Sequence, residues 1–135
     1  MGPTASGKSN LAIQIAKEIN AEIISADSRL VYKGFDIGTA KPTMEERQGI
    51  QHHLIDVVEP EVDYSVANFL DDARVVIEEI TAKGKVPIVV GGTGLYFRIL
   101  LENFDMPRVE PNYELRAELE AMDTQELHKM LMELD

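Results

Sequence analysis

A chain of 135 residues, 44% of them hydrophobic, is long enough for one compact globular domain. It has no cysteine, no signal-peptide core and no apolar run near the roughly 20 residues of a transmembrane helix, so we expect a cytoplasmic protein without disulfides, a thiolate zinc site or a membrane role. The formal net charge of −11, with its acid excess concentrated after residue 102, disfavours nucleic acid as a partner, although a local basic groove can coexist with an acidic exterior.

The first motif lies at the start of the chain and fits the pattern G-x-x-x-x-G-K-[ST] at every fixed position. It consists of Gly2, Pro3, Thr4, Ala5, Ser6, Gly7, Lys8 and Ser9. Glycines let such a loop curl so that backbone N–H groups converge on phosphate oxygens, and the helix that follows adds the positive end of its dipole. Lys8 supplies a mobile cation and Ser9 a hydroxyl that can hold Mg²⁺. A P-loop alone favours ATP or GTP, and hence a kinase or NTPase.

A helix is predicted over residues 8–20, with Leu11, Ile15 and Ile19 on one apolar stripe and two alanines beside it. A short β-like run over residues 22–25 follows. Together they form half of an α/β unit.

Asp27 comes just past the carboxyl end of that strand, where open α/β sheets bind ligands. It is a candidate general base. The alternative is an aspartate that caps the loop through its own backbone, and the sequence leaves both open.

Residues 27–64 form a long loop-rich segment, which is usually functional in a compact domain. Ser65 is then the predicted N-cap of a strong amphipathic helix, and Gly84 its stop. Residues 86–90 form a continuous apolar run, typical of a strand buried on both faces by helices, and a helix over residues 95–101 follows. This order of elements predicts an α/β fold with a P-loop NTPase-like parallel sheet flanked by helices.

That apolar run ends in Gly-Gly-Thr and lacks the terminal aspartate that a P-loop NTPase normally uses near Mg²⁺, so ATP hydrolysis is less favoured. Beyond Pro111 the pattern changes to two acidic amphipathic helices, predicted to pair as a hairpin whose core includes the methionines near residues 122–132. A P-loop normally follows a buried strand, whereas only Met1 precedes Gly2, and the last helix has no stop signal. We therefore expect that both ends are trimmed.

Five segments resemble the tRNA dimethylallyltransferases, also called tRNA isopentenyltransferases, which alkylate N6 of the adenine next to the anticodon. The matching segments, in family order and spacing, are Gly2–Ser9, Ile24–Ser28, Val31-Tyr32 with Asp36–Pro42, His52–Asp56 and Val90–Tyr96. The resemblance covers nearly the whole chain but only about the first half of a typical family member. It implies a catalytic core over residues 1–105, without its first strand, and the start of an inserted helical domain over residues 106–135.

The resemblance implies that the P-loop binds the pyrophosphate of dimethylallyl diphosphate. Asp27 would be the general base for the adenine amine, with Thr4, Lys8 and Ser9, the last through Mg²⁺, stabilising the leaving group. It further implies tRNA contacts from Asp27, Ser28, Arg29, Leu30, Thr93 and Arg116. Leu30 stands where the family often has Gln, and Thr93 and Arg116 also fit plainer roles as a turn residue and a solvated helix charge.

Three alternatives to this function stay open: a small-molecule P-loop kinase, an adenylate isopentenyltransferase, and an inactive, truncated nucleotide-binding module. His52 and His53 are interpreted as structural, because adjacent histidines with a remote His128 lack the spacing of a metal site. We expect a monomer.

Overall fold

The fold is a parallel three-stranded sheet with helices on both faces. A computed structural model describes Gly2, residues 6–102 and residues 109–134. The helices are α1 (Lys8–Glu18), α2 (Val66–Ala82), α3 (Gly94–Glu102), α4 (Tyr113–Glu120) and α5 (Thr124–Leu134), and the strands are β1 (Ala21–Ser25), β2 (His52–His53) and β3 (Val86–Val90). The strand order is β2-β1-β3, and both pairings are parallel, so the predicted α/β class is confirmed. In the part of the chain that is described, no helix is long and apolar enough to cross a bilayer.

Alternate residues of β1 serve two separate apolar cores, as the period of a strand requires. Ile23 packs with α1 on one face of the sheet. Ile24 packs on the other face with α2 and α3, where the rings of Phe69 and Tyr96 stack with centroids 4.0 Å apart. All five residues of β1 are buried, so this strand is the centre of the molecule.

The buried face of α1 differs from the predicted one. Leu11, Ile15 and Ile19 are exposed, Leu11 to 58%, whereas Ala12, Ile13 and Ala16 are buried. The reason is steric: two alanines let the helix approach the sheet closely, with Ile13 as the one large side chain between them. The stripe of the largest apolar residues therefore did not predict the buried face of the helix.

The predicted ends of α2 are confirmed. Ser65 is its N-cap, and its side chain and that of Asn68 cap each other's backbone N–H groups in a complete capping box. Gly84 follows the helix in the left-handed conformation, with φ 69°, which a residue with a side chain adopts only with strain.

The third strand departs from the prediction in its burial. Helices do pack on both faces of β3, but residues 87–90 are only half-buried and Val86 is 44% exposed. The reason is that, in the described residues, β3 pairs with β1 alone and its other edge is open. The two-residue strand β2, within the long loop, was not predicted.

The two predicted acidic helices are present as α4 and α5, but the predicted hairpin core is wrong. Neither helix contains a buried residue, and Met130 and Met132 are exposed. Short acidic helices acquire a core only where another surface covers their apolar stripes. The division between residues 105 and 106 lies outside the described residues and stays a prediction.

A buried carboxylate joins the strands at the amino-terminal edge of the sheet. Glu22 on β1 accepts hydrogen bonds from Lys85 Nζ at 2.8 Å and interacts with His53 Nε2 at 2.7 Å, with Lys83 Nζ 3.5 Å away. The hydrogen bonds with Lys85 and His53 outweigh burial and lower the pKa of Glu22 from 4.5 to about 2. Glu22 therefore links the turn before β3, β2 and the end of α2.

This link predicts a specific acid dependence of stability. Because the folded-state pKa of Glu22 lies below its unfolded value, its contribution is complete above about pH 5 and is lost as the pH falls towards 2. Glu22→Gln should lower the free energy of unfolding by roughly 2 kcal/mol at neutral pH. Denaturation of both proteins between pH 3 and pH 7 should show that difference shrinking with acidification.

Glu78→Gln is the matched control, since Glu78 is exposed on α2. The control should follow the wild-type pH profile throughout. A constant gap between wild type and Glu22→Gln across the acidic range would contradict the assignment.

Candidate functional site

The site is built where the carboxyl ends of β1 and β3 meet. Ala26 N–H donates to Val90 O at 2.8 Å, and Thr93 N–H donates back to Ala26 O at 3.2 Å. These bonds extend the strand pairing past the formal end of β1. The residues that follow the two strands, which include Asp27 and Gly92, are thereby held at one edge of the sheet.

The contact at this edge requires glycine at position 91. A Cβ atom on Gly91 would lie 2.0 Å from Ala26 O and 2.4 Å from Ala26 C, far inside any van der Waals contact. Because the obstacle is backbone, no side-chain rotation can relieve it. The sequence showed Gly-Gly-Thr as a departure from the NTPase pattern, but it could not show this close approach.

An open pocket is lined by the first turn of α1 and by this edge of the sheet, and we call it the P-loop pocket. Lys8 and Ser9, from the first turn of α1, are among its polar lining residues, with Lys8 Nζ 3.4 Å from Ser6 Oγ. Leu30 and Ile55 are among its apolar lining residues. The pocket therefore combines groups that can bind an anion with apolar side chains.

A second open pocket shares lining residues with the first, and we call it the Thr93 pocket. Ser28 and Arg29 line it on one side. The hydroxyl of Thr93 accepts a hydrogen bond from Ser28 N–H at 3.1 Å, so Thr93 also ties the two strand ends together. Asp27 lines both pockets.

Asp27 has the loop-capping role that the sequence left open as an alternative. Its Oδ1 accepts a hydrogen bond from Arg29 N–H at 3.0 Å, which forms an Asx turn. Among the described residues, its second carboxylate oxygen accepts no hydrogen bond. The capping role and a chemical role are thus compatible, because they use different oxygens.

The loop between residues 35 and 41 forms a wall common to both pockets through Thr39 and Ala40. Its anchor is Lys41, whose side chain is only 6% exposed and forms ion pairs with Asp36 at 2.7 Å and with Asp56. Burial acts to lower the pKa of Lys41, but the hydrogen bonds with the two aspartates outweigh it and raise the pKa. Lys41 is therefore a fixed cation.

His52 also lines the P-loop pocket, although the sequence suggested only a structural role. Burial lowers its pKa, which favours the neutral ring, and its Nδ1 lies 2.8 Å from Ile50 O. Donation from Nδ1 to that carbonyl leaves Nε2 as an acceptor. His53, in contrast, interacts with the buried carboxylate of Glu22 at the other edge of the sheet.

The other predicted site residues divide by location. Pro3, Thr4 and Ala5 lie outside the described residues. Leu30 is buried and lines the P-loop pocket but not the Thr93 pocket, and its tRNA contact stays a prediction. Arg116 is exposed on α4 and lines neither of the two described pockets.

Sequence reasoning missed several residues of the pocket walls. These are Thr39, Ala40, Pro42, His52 and Ile55. Two signals covered them: the length and the Gly/Pro content of the loop over residues 27–64, and the segments 36–42 and 52–56 that carry the family resemblance. Neither signal assigned a role to these positions.

The fold and the two pockets define an α/β protein with candidate ligand sites at the carboxyl edge of a parallel sheet, where such sheets bind ligands. A family model described as IPP transferase matches residues 30–135. The chain belongs to the IPP transferase family.

Curated relatives carry a more specific description. The tRNA dimethylallyltransferase of Thermomicrobium roseum is 52% identical over 100% of this chain and 42% of the relative. That of Francisella tularensis subsp. novicida is 52% identical over 99% of this chain and 44% of the relative. The chain spans less than half the length of these relatives.

Solved structures are similar in fold as well as in sequence. A tRNA isopentenylpyrophosphate transferase from Bacillus halodurans matches 99% of this chain and 46% of its own, with a TM-score of 0.77 and 45% identity. A eukaryotic dimethylallyltransferase described as acting on tRNA gives a TM-score of 0.81 and 35% identity, over 99% of this chain and 34% of its own.

The close approach at Gly91 gives a testable prediction. Gly91→Ala should destabilise the protein by about 3 kcal/mol, because the ends of β1 and β3 must separate to admit the methyl group. Chemical denaturation measures the loss.

Gly94→Ala provides the control three residues away. A Cβ there meets nothing within 4 Å, so stability should be unchanged or slightly higher. Equal stability of the two variants would show that the ends of the strands are not in contact.

Proposed function

We propose that the protein is a tRNA dimethylallyltransferase. It would transfer the dimethylallyl group from dimethylallyl diphosphate to N6 of the adenine next to the tRNA anticodon and release pyrophosphate. The observation that carries this proposal is the position of Asp27 in the walls of both the P-loop pocket and the Thr93 pocket. A base between a diphosphate site and an acceptor site is what the transfer requires.

The P-loop pocket fits an isoprenoid diphosphate by its chemistry. Lys8 and the amino end of α1 supply positive charge for the diphosphate, as in a P-loop NTPase-like fold. Leu30 and Ile55 supply an apolar surface for a five-carbon chain, which has no hydrogen-bonding group. Pyrophosphate here is a leaving group and not a phosphoryl donor.

In the reaction, the N6 nitrogen of adenine attacks the allylic carbon C1 as the bond between C1 and the diphosphate oxygen breaks. The amine proton passes to the carboxylate oxygen of Asp27 that does not cap the loop. Lys8 stabilises negative charge developing on the departing pyrophosphate, and Thr4 is proposed to do the same.

Mg²⁺ is proposed as the metal that accompanies the diphosphate. The donor set fits: the Ser9 hydroxyl is an oxygen ligand of the kind that Mg²⁺ prefers, and the diphosphate itself would provide further oxygens. Bound there, the metal would neutralise charge on the leaving group.

The acceptor would enter through the Thr93 pocket, with its adenine turned out of the anticodon loop. Ser28, Arg29 and Thr93 are proposed to contact the tRNA there, and Arg116 from α4. The strong acid excess of the chain is unfavourable for tRNA, so the local contacts of this part of the protein alone should bind tRNA weakly. A cytoplasmic location follows from the proposed substrate, and a monomer stays a prediction.

Substitution of Asp27 tests the assignment of the base. Asp27→Asn keeps the oxygen that caps Arg29 but cannot accept a proton, so prenyl transfer should fall about 100-fold or more. Binding of pyrophosphate should change little. The measurement is transfer of labelled dimethylallyl diphosphate to unmodified tRNA by the full-length protein.

Asp63→Asn, at an exposed position outside both described pockets, is the control and should retain full activity. Normal turnover by Asp27→Asn would show that the base is another group. The same preparation incubated with ATP and small acceptors tests the kinase alternative: phosphoryl transfer without label in tRNA would overturn the proposed function.

A further inference from the structure

We propose that Lys41 is a positioning residue that fixes the wall common to the two pockets and so sets the affinity for both substrates. This inference rests on the proposed function. A lysine close to a phosphate site is ordinarily interpreted as a phosphate ligand. The contacts of Lys41 indicate instead that it holds the loop in place and does not bind phosphate.

The ammonium group of Lys41 is fully engaged inside the protein. Its three N–H donors have three acceptors, namely the carboxylates of Asp36 and Asp56 and, at 3.4 Å, the carbonyl oxygen of Tyr32. The side chain is nearly completely buried. One positive and two negative charges leave the group with a net charge of −1, which would repel a diphosphate.

The neighbours of Lys41 along the chain, in contrast, form pocket walls. Thr39 and Ala40 line both pockets, and Pro42 lines the P-loop pocket, whereas Lys41 lines neither of these described pockets. The chain therefore presents residues 39, 40 and 42 to the ligand side and directs Lys41 to its anchors. A positioning residue acts in this way: it holds its neighbours in the pocket wall without lining the pocket itself.

The loop needs such an anchor because its backbone is strained. Ala40 has φ 53°, in the left-handed region that a residue with a side chain adopts only with strain. Such conformations persist only where their surroundings hold them. Lys41 connects the loop to Asp56, which is itself tied to Leu30 O by its N–H at 3.0 Å.

Asp27 is held independently of this loop. Its position comes from β1, from its own Asx turn with Arg29, and from the contact between Ala26 and Gly91. Release of the loop should therefore open the walls of both pockets without moving the base. The expected signature is a rise in KM for both substrates with little change in kcat.

The first variant is Lys41→Met in the full-length protein, which keeps the apolar stem and removes the ammonium. We expect KM for dimethylallyl diphosphate and for tRNA each to rise about tenfold, with kcat within about threefold of wild type. Amide hydrogen exchange over residues 35–41 should become faster. Lys33→Met is the matched control, since Lys33 forms an exposed ion pair with Glu59, and it should change neither quantity.

Asp36→Asn keeps the experiment decisive if Lys41→Met fails to fold. Asp36 is 69% exposed, so its substitution leaves the core intact, and it should raise both KM values in the same direction by a smaller factor. In a folded Lys41→Met background, Asp36→Asn should add little, because the partner is already absent.

An unchanged KM for both substrates in a folded Lys41→Met, or in Asp36→Asn if Lys41→Met does not fold, would overturn the proposal. So would a loss confined to kcat. If the wild-type protein transfers no prenyl group to tRNA, the proposed function fails, but hydrogen exchange still tests the anchoring of the loop: unchanged exchange over residues 35–41 would then overturn the role of Lys41 separately.

Discussion

The backbone contact between Ala26 and Gly91 is the constraint on which the rest of the site depends. It brings the ends of β1 and β3 closer than any side chain at position 91 would allow. Because Asp27 follows one partner and Thr93 lies two residues after the other, the contact fixes the candidate base against the second pocket. A single glycine thus determines where the candidate site residues lie.

Two buried charges lie at different places in the molecule, and each is surrounded by groups of opposite charge. Glu22 is surrounded by cations at the amino-terminal edge of the sheet, and Lys41 by carboxylates beside the pockets. Lys41 with its two aspartates sums to −1, whereas Glu22 with Lys83 and Lys85 sums to +1, but at the amino-terminal edge of the sheet, away from the two pockets. Under the proposed function, the attraction for a diphosphate would therefore come from Lys8 and the amino end of α1, in a chain whose net charge is strongly negative.

Local signals predicted α2 well, because its caps and its apolar period are encoded within the helix itself. The buried face of α1 was not predictable in the same way: which stripe is buried depends on how closely β1 lets the helix approach, a tertiary property. The residues of the pocket walls were also not predictable from local sequence, because they meet only through tertiary contacts. Lys41 and Asp56 are 15 residues apart and meet only in the folded chain, so sequence indicated a functional loop without its anchor.

For Asp27, the sequence offered two roles as if one excluded the other. The geometry removes that opposition, because Oδ1 holds the turn to Arg29 while the other oxygen accepts no hydrogen bond from the described residues. A carboxylate fixed by one oxygen loses rotational freedom before substrate arrives, so less entropy is lost when the second oxygen meets a proton donor. The capping bond is thus part of what would make Asp27 an effective base.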